Sequence, residues 1–284
     1  MQIVFDPGDL GTATKLNDPR FGWLHELGAM PLDELHREAD AFLFGYDRGL
    51  DDLAHLQNHF SRLRDTPSER QQLLSLSYAL GIVSSLAAPI PTPRTWVLEL
   101  DASFPHDLTY PLFLRTDRTS WKRGGKQARV DDPIELEDEL GEIRRVFGWD
   151  CPVITREWLA LETVGDWSFG PVPREVRVWC VHEKPRVWSF HYLHVCPDAT
   201  GFPISATDRE LLGRYAAKLA PHFTSPLAAF DFAQTIEGTW HFIEAAPGAC
   251  AGISHERAFK TICAALRTES TPSWQETYAG TICQ

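Results

Sequence analysis

Two stretches of this chain carry residue types whose spacing suits chemistry. The first is YPLFLRTDRTSWKRGGKQARVDD, residues 110–132, where Arg115, Arg118, Lys122, Arg123, Lys126 and Arg129 crowd around Gly124-Gly125. A strand through LTYPLFLRT would deliver Arg115 to the edge of a cleft. The glycine loop behind it lets backbone N–H groups approach phosphate oxygens, while Lys122, Arg123 and Lys126 can neutralise a polyphosphate. The segment is not a Walker motif, and by itself it also reads as a solvated basic loop. The second stretch is FDFAQTIEGTWHFIEAAPG, residues 230–248. Asp231 sits in the apolar run LAAFDFA, where a carboxylate is costly to bury unless it is paired or binds a cation. Glu244 is flanked by Phe242-Ile243 and Ala245-Ala246. A turn at Glu237-Gly238 would put the two carboxylates on paired strands, with Phe242 and Glu244 on one face. Such a pair suits the Mg²⁺ that accompanies a polyphosphate. The alternative is a half-exposed hairpin with surface carboxylates.

Two shorter strands add to these. In REWLALE, residues 156–162, a strand with a polar end can offer backbone groups to adenine while Glu162 meets ribose hydroxyls. Its bland reading is an edge strand with solvated charges. In REVRVW, residues 174–179, Glu175 and Arg177 share one face and Val176 and Val178 the other. Arg177 in a cleft would hold a transferred phosphate; on a surface it would form an ion pair worth little. His55 with His59, and His191 with His194, stand at helical or near-helical spacing, but no third ligand of suitable spacing stands near either pair. The six cysteines form no C-x-x-C and read as reduced and mostly buried.

The elements that must position these groups follow from periodicity. QIVF, residues 2–5, reads as a strand into a turn. Residues 32–44 and 49–64 read as helices, the second from Leu50, Leu53, Leu56, Phe60 and Leu63. Ser68 with Gln71 resembles a capping box that opens a helix to about Leu86. Three prolines in APIPTPRT end it, and TWVLEL is a strand. Asp132-Pro133 opens a helix to about Phe147. PVITREWLALE is a strand, and REVRVWCVHEKPRVWSFHYLHV is two strands with a turn at Glu183-Lys184-Pro185. Thr207 and Glu210 cap a helix to about Leu219, and a last helix runs Ser254 to Leu266. This order is α+β, or α/β with a split nucleotide domain. The expected division is residues 1–100 as a small N-terminal α/β domain, 101–270 as a two-part unit of mostly antiparallel sheet, and 271–284 as a tail.

Size and charge agree. A chain of 284 residues, 43% hydrophobic, has material for a sizeable core and roughly two domains. A net charge of −12 argues against general nucleic-acid or anionic-membrane binding, though not against a local basic site. No apolar run nears the roughly 20 residues of a membrane helix. The N-terminus MQIVFDPGDLGTATK lacks the layout of a signal peptide, so cytoplasm is the expected location.

The order of these motifs resembles the ATP-grasp superfamily, and most closely its arginine-to-lysine clade. Phe113-Leu114-Arg115 resembles the strand that normally carries a phosphate-contacting Lys, and Arg156-Glu157-Trp158-Leu159 with Glu162 resembles the adenine hinge. Glu175-Val176-Arg177-Val178 resembles the clade's E-x-R-V strand. Asp231, Gly238-Thr239-Trp240 and Ile243-Glu244 resemble its D…GxW…IE hairpin, and PIPTPRT resembles the passage into the central fold. The likeness covers roughly residues 88 to 267. It implies ATP and Mg²⁺, with Arg115, Lys122, Arg123, Lys126, Glu157, Trp158, Leu159, Glu162 and Glu175 on the nucleotide, Asp231 and Glu244 on the metal, and Arg177 with Arg115 in catalysis. The reaction implied is activation of a carboxylate as an acyl phosphate for attack by an amine or thiol. Relatives place Asn two residues after the metal-binding Glu; here that residue is Ala246, which has no donor atom. A weakly catalytic or non-catalytic assembly protein of the same fold is therefore a second expectation, and an ATP-dependent nucleotide or nucleic-acid-end modifying enzyme a third. The expected partners are ATP and a small-molecule or peptide acid and amine. Residues 163–173 are a candidate substrate loop, and Trp121 a candidate lid.

Overall fold

The computed structural model describes residues 2–5, 23–31, 40–44, 54, 63–98, 105–118, 122–123, 126–127, 129–148, 152–167, 170–191, 204–251 and 256–268. The chain starts with strand β1 (Gln2–Phe5), helix α1 (Trp23–Glu26), and strands β2 (Ala29–Pro31), β3 (Ala41–Phe44) and β4 (Leu63–Arg64). They form a parallel sheet in the order β2-β1-β3-β4. The helix expected over 32–44 is thus a strand at its end. Ala41–Phe44 is buried at every position, and a continuous apolar run of that length suits a parallel strand covered on both faces. Residues 32–39 lie outside the described residues. So does most of the helix expected over 49–64, where Ala54 is helical and Leu63–Arg64 is strand.

Two helices follow, α2 (Pro67–Leu74) and α3 (Leu76–Ser85). The cap is two residues earlier than Ser68: Thr66 accepts from the Glu69 N–H, and the Glu69 carboxylate accepts from the Thr66 N–H, with Pro67 in the first turn. The single helix expected to Leu86 is broken at Ser75. That residue is extended, its hydroxyl caps Tyr78, and the next N–H, of Leu76, turns to the Asp117 carbonyl.

The middle of the chain contributes β5 (Thr95–Leu98), β6 (Leu112–Thr116), the short hairpin β7 (Lys122–Arg123) and β8 (Lys126–Gln127), β9 (Arg129–Val130), α4 (Pro133–Phe147) and β10 (Val153–Glu157). An antiparallel sheet forms in the order β5-β10-β6-β9. Asp132 caps α4 as expected, accepting from the N–H groups of Ile134 and Glu135. Leu136, Leu140 and Ile143 of α4 pack on Trp96, Leu98, Leu112, Leu114 and Val153. Alternation then turns Val97, Ile154 and Arg115, which lie side by side, to the opposite face.

The last part begins with a hairpin, β11 (Thr163–Trp167) and β12 (Gly170–Pro173). Then come β13 (Glu175–Val181), β14 (Lys184–Phe190), α5 (Ala206–Leu219), β15 (Leu227–Gln234), β16 (Trp240–Pro247) and α6 (Glu256–Thr268). These strands pair antiparallel as β14-β13-β15-β16. The turn between β13 and β14 is the two left-handed residues His182 and Glu183, one position earlier than expected, so Lys184 and Pro185 are already in register with Val181 and Cys180. Helix α5 is capped by Ser205, which accepts from the Asp208 N–H, rather than by Thr207.

This sheet has a core on each side. One face, with Val176, Val178, Phe230, Phe232 and Phe242, packs on α5 and on Leu73, Ala79 and Ile82 of α2 and α3. The other, with Trp179, Val181, Leu227 and Ala229, packs on Phe259 and Ile262 of α6 and on Ile3, Phe42 and Phe44 of the N-terminal sheet. Both cores are closed by N-terminal elements, so the first 85 residues share apolar burial with the last hundred. Each buried Leu or Phe contributes about 1.5–3 kcal/mol. Gly248 follows β16 where a Cβ would stand 2.4 Å from Leu227 Cγ, so no other residue fits without a shift. Among the described residues no helix is long and apolar enough to cross a membrane.

Candidate active site

Charged residues that are nearly buried mark where the two antiparallel sheets meet. Arg115 lies on the face of β6 turned away from α4 and is 3% exposed. Its Nη1 donates to Glu244 Oε2 of β16 at 2.7 Å, and its Nε donates to the Thr116 carbonyl. Beside Glu244, Asp231 of β15 lies directly opposite Arg177 of β13. Arg177 Nε and Nη2 donate to the two Asp231 oxygens at 2.7 and 2.6 Å, a bidentate pair with side chains 9% and 1% exposed. This is not the weak surface pair that an exposed strand would give.

Strand geometry sorts these side chains with one exception. Glu175, Arg177 and Asp231 share a face because alternation and cross-strand pairing put them there. Phe242 and Glu244 do not share one, contrary to simple alternation. Register runs from Asp231↔Glu244 to Phe232↔Phe242, which leaves Ile243 as the extra residue of a β-bulge. The bulge turns Glu244 toward Asp231 and leaves Phe242 in the core, 5.9 Å from the Phe232 ring. Arg156, 2% exposed, holds this bulge. Its Nη1 donates to the Ile243 carbonyl at 2.6 Å, and its Nη2 to the Phe242 carbonyl at 3.2 Å and Thr92 Oγ1 at 3.0 Å.

The electrostatics follow from burial and neighbours. Burial by itself would raise the Asp231 carboxyl; Arg177 and His191 outweigh it and hold the group well below the usual carboxylate range. Burial pushes Glu175 up to about 7, with Asp231 and Glu244 adding to the rise. Burial, then the charge of Arg115, pulls Arg156 down to about 9, so it is a cation at neutral pH. Burial works to lower His191, but Glu175 and Asp231 raise it overall. Its Nδ1 stands 3.5 Å from Asp231 Oδ2 and 3.9 Å from Glu175 Oε1.

Glu157 ends β10, and Trp158, Leu159 and Glu162 lie on the strap, residues 158–162, that follows it. The Glu157 and Trp158 N–H groups donate to the Arg94 and Pro111 carbonyls. The Trp158 ring lies 6.4 Å from Phe113 and under Arg129. Leu159 is half-buried and Glu162 exposed. The Glu162 N–H donates to the Gln234 carbonyl, and its carbonyl accepts from Arg174, so the strap is tied to the second sheet. Lys122 and Arg123 pair with Gln127 and Lys126 as a backbone hairpin, while their side chains, Gly124-Gly125 and Trp121 lie outside the described residues. The structure therefore brings Arg115, Glu175, Arg177, Asp231 and Glu244 together and adds Arg156, named only within the hinge segment, and His191, whose spacing to His194 offered no third ligand. An Arg inside the apolar strand PVIT-R-EWL was the available signal for Arg156. Ala246 lies opposite Ala229 and packs in the apolar core.

Residues 143–266 match the family model of the ATP-grasp domain, arginine-to-lysine clade, family 3. Over these residues the chain is similar to ATP-grasp domains of that clade. Arg156, Glu175, Arg177, His191, Asp231 and Glu244 fall inside the match, and Arg115 and the basic hairpin precede it. Solved structures extend the ATP-grasp fold to the chain as a whole. A RimK-domain ATP-grasp protein from Sphaerobacter thermophilus aligns with a TM-score of 0.57 at 13% identity, covering 94% of this chain and 97% of that one. A D-alanine–D-alanine ligase from Bacillus anthracis aligns with a TM-score of 0.59 at 13% identity, covering 94% and 98%. The same ligase complexed with ATP aligns at 0.59 and 15%, again covering 94% and 98%. At these identities the likeness is one of fold. No curated protein matches the sequence.

Proposed function

We propose that this chain is an ATP- and Mg²⁺-dependent ligase. It activates a carboxylate as an acyl phosphate for attack by an amine or thiol, with release of ADP and phosphate. The observation that carries this reading is the meeting of Arg115–Glu244 and Arg177–Asp231 at the edge between two sheets. Two guanidiniums are already desolvated there, so their carboxylate partners can be exchanged for phosphate oxygens without burying a new cation. Asp231 and Glu244 have lone pairs left for Mg²⁺, which bound there would neutralise phosphate charge during transfer. The donor set fits a metal–nucleotide complex.

In this reading Arg115, with Lys122, Arg123 and Lys126, holds the phosphates. Glu157, Trp158 and Leu159 contact adenine, and Glu162 and Glu175 complete the nucleotide site. Arg177 stabilises charge on the transferred group and on the acyl phosphate. No side-chain nucleophile is needed, so positioning and charge neutralisation supply the acceleration. The ATP complex of a solved neighbour supports the nucleotide. The acid and amine are small molecules or peptide ends.

Ala246 favours a second reading, an ATP-binding scaffold with little turnover. Thermal unfolding with ATP and MgCl₂, on wild type and Arg115→Ala, separates the readings. A ligand at about 100 times its dissociation constant adds roughly 2.7 kcal/mol. A Mg²⁺-dependent rise lost in Arg115→Ala, with ADP release that needs both an acid and an amine, supports the ligase. A rise with no acceptor-dependent ADP release selects the scaffold, and no rise in folded wild type overturns both.

A further inference from the structure

His191, beside Asp231, has no role in the proposed nucleotide site. His191 follows β14 directly, and its ring comes within reach of Asp231 from the side away from Glu244. One ligand atom from each of Glu175, His191 and Asp231 lies within 4.8 Å of the other two. Adjacent ligands of an octahedral ion at about 2.1 Å are about 3.0 Å apart, and opposite ones about 4.2 Å. The 3.5 and 3.9 Å separations from His191 Nδ1 are therefore a slight closing away from one ion. Glu175 and Asp231 are held on paired strands, and His191 is placed by the end of β14.

We infer that Glu175 and His191 complete the divalent-metal site of Asp231. They supply from β13 and the end of β14 the coordination that Ala246 lacks on β16. This rests on the reading of Asp231 as a metal ligand in a nucleotide site. The site has an imidazole nitrogen beside two carboxylates, so it takes Mn²⁺, Co²⁺ or Zn²⁺ more tightly than Mg²⁺. Arg177 offsets one of the two carboxylate charges. A divalent ion then leaves one positive charge over, which a phosphate oxygen balances. Metal and nucleotide accordingly bind better together than apart. The rival arrangement is an imidazolium that pairs with both carboxylates and binds no metal.

Electron spin-echo spectroscopy of Mn²⁺ on the full chain with ADP tells these apart. The expected spectrum has nitrogen coupling from a bound imidazole together with phosphorus coupling from ADP. Growth with ¹⁵N-histidine should convert the nitrogen pattern without any substitution. His191→Gln should abolish it, and His191→Gln and Glu175→Gln should each weaken Mn²⁺ binding in the presence of ADP by about tenfold or more. Phosphorus coupling without nitrogen coupling in wild type overturns this inference and leaves the nucleotide site standing. Nitrogen coupling that persists in His191→Gln also overturns it. Failure of Mn²⁺ and ADP to bind wild type at all removes the inference and the nucleotide reading together.

Discussion

The pair Arg177–Asp231 should cost the fold more to break than to remove. Replacing Arg177 by Leu leaves Asp231 buried opposite an apolar side chain. Breaking a buried ion pair this way costs about 3–5 kcal/mol. The upper end is expected here, because Glu175 and Glu244 also act on the Arg177 guanidinium and would be left with Asp231 as three close carboxylates. Adding Asp231→Leu removes the stranded charge. The next pair along the same face is Trp179 opposite Ala229, already within an apolar core, so two leucines extend an existing surface. The double variant should return to within about 1 kcal/mol of wild type or exceed it. The coupling between the two sites then amounts to about 3 kcal/mol or more. Urea unfolding at neutral pH without nucleotide measures this, and titration with a fluorescent ATP analogue measures the site. Nucleotide binding should be lost in Arg177→Leu, in Asp231→Leu alone and in the double variant, so the double variant would be stable and inert. A double variant as unstable as Arg177→Leu alone refutes the stability argument. One that keeps wild-type nucleotide affinity refutes the placement of the pair in the site.

Two further outcomes follow from the same geometry. Arg156→Met strips a donor from the Ile243 carbonyl and one of two from the Phe242 carbonyl, which Thr92 also reaches. The expected loss is about 2 kcal/mol of stability, with weaker nucleotide binding because the bulge that aims Glu244 is loosened; unchanged affinity for the ATP analogue would count against the clamp. Burial pushes the Cys263 thiol up to about 12 and Cys180 higher still. Both thiols therefore stay protonated in the folded state at about pH 8, and a thiolate-seeking reagent should spare them until the chain unfolds. By linkage a raised thiol pKa adds stability below its unfolded value and loses it as pH climbs toward about 12. Labelling of either residue in folded protein, read by peptide mass mapping, would contradict this burial.

What was legible in the sequence was set by period and punctuation. The carboxylate hairpin, the E-x-R strand and the Asp132-capped helix could be read because alternation and a capping Asp-Pro are local signals. Three things were not local. AFLF at 41–44 has no period to tell a buried strand from a helix, and its partners lie in β1 and β4. The bulge at Ile243 depends on Arg156, 87 residues away, whose cation fills the carbonyls that the extra residue turns outward. His191 looked unsupported because its partners, Glu175 and Asp231, come from other strands rather than from His194. Helix starts fall two residues before the expected caps where several Ser and Thr compete for the cap, as at Thr66 and Ser205.

The alanine at position 246 therefore has to be weighed in three dimensions. Along β16 it sets no donor atom beside Glu244, and the side chain packs into the core instead. Across the sheet the same volume is bordered by Asp231, and beyond Asp231 by Glu175 and His191. Coordination lost from one strand of a sheet can be recovered from another, because side chains on adjacent strands of one face stand about 5 Å apart. The buried charges argue the same way. Replacing Arg177 and Asp231 together by apolar residues is expected to cost the fold little, so stability alone gives no reason for the pair. Their presence, with Arg115 and Glu244 paired beside them, suits the proposed site, in which those partners are exchanged for phosphate and metal.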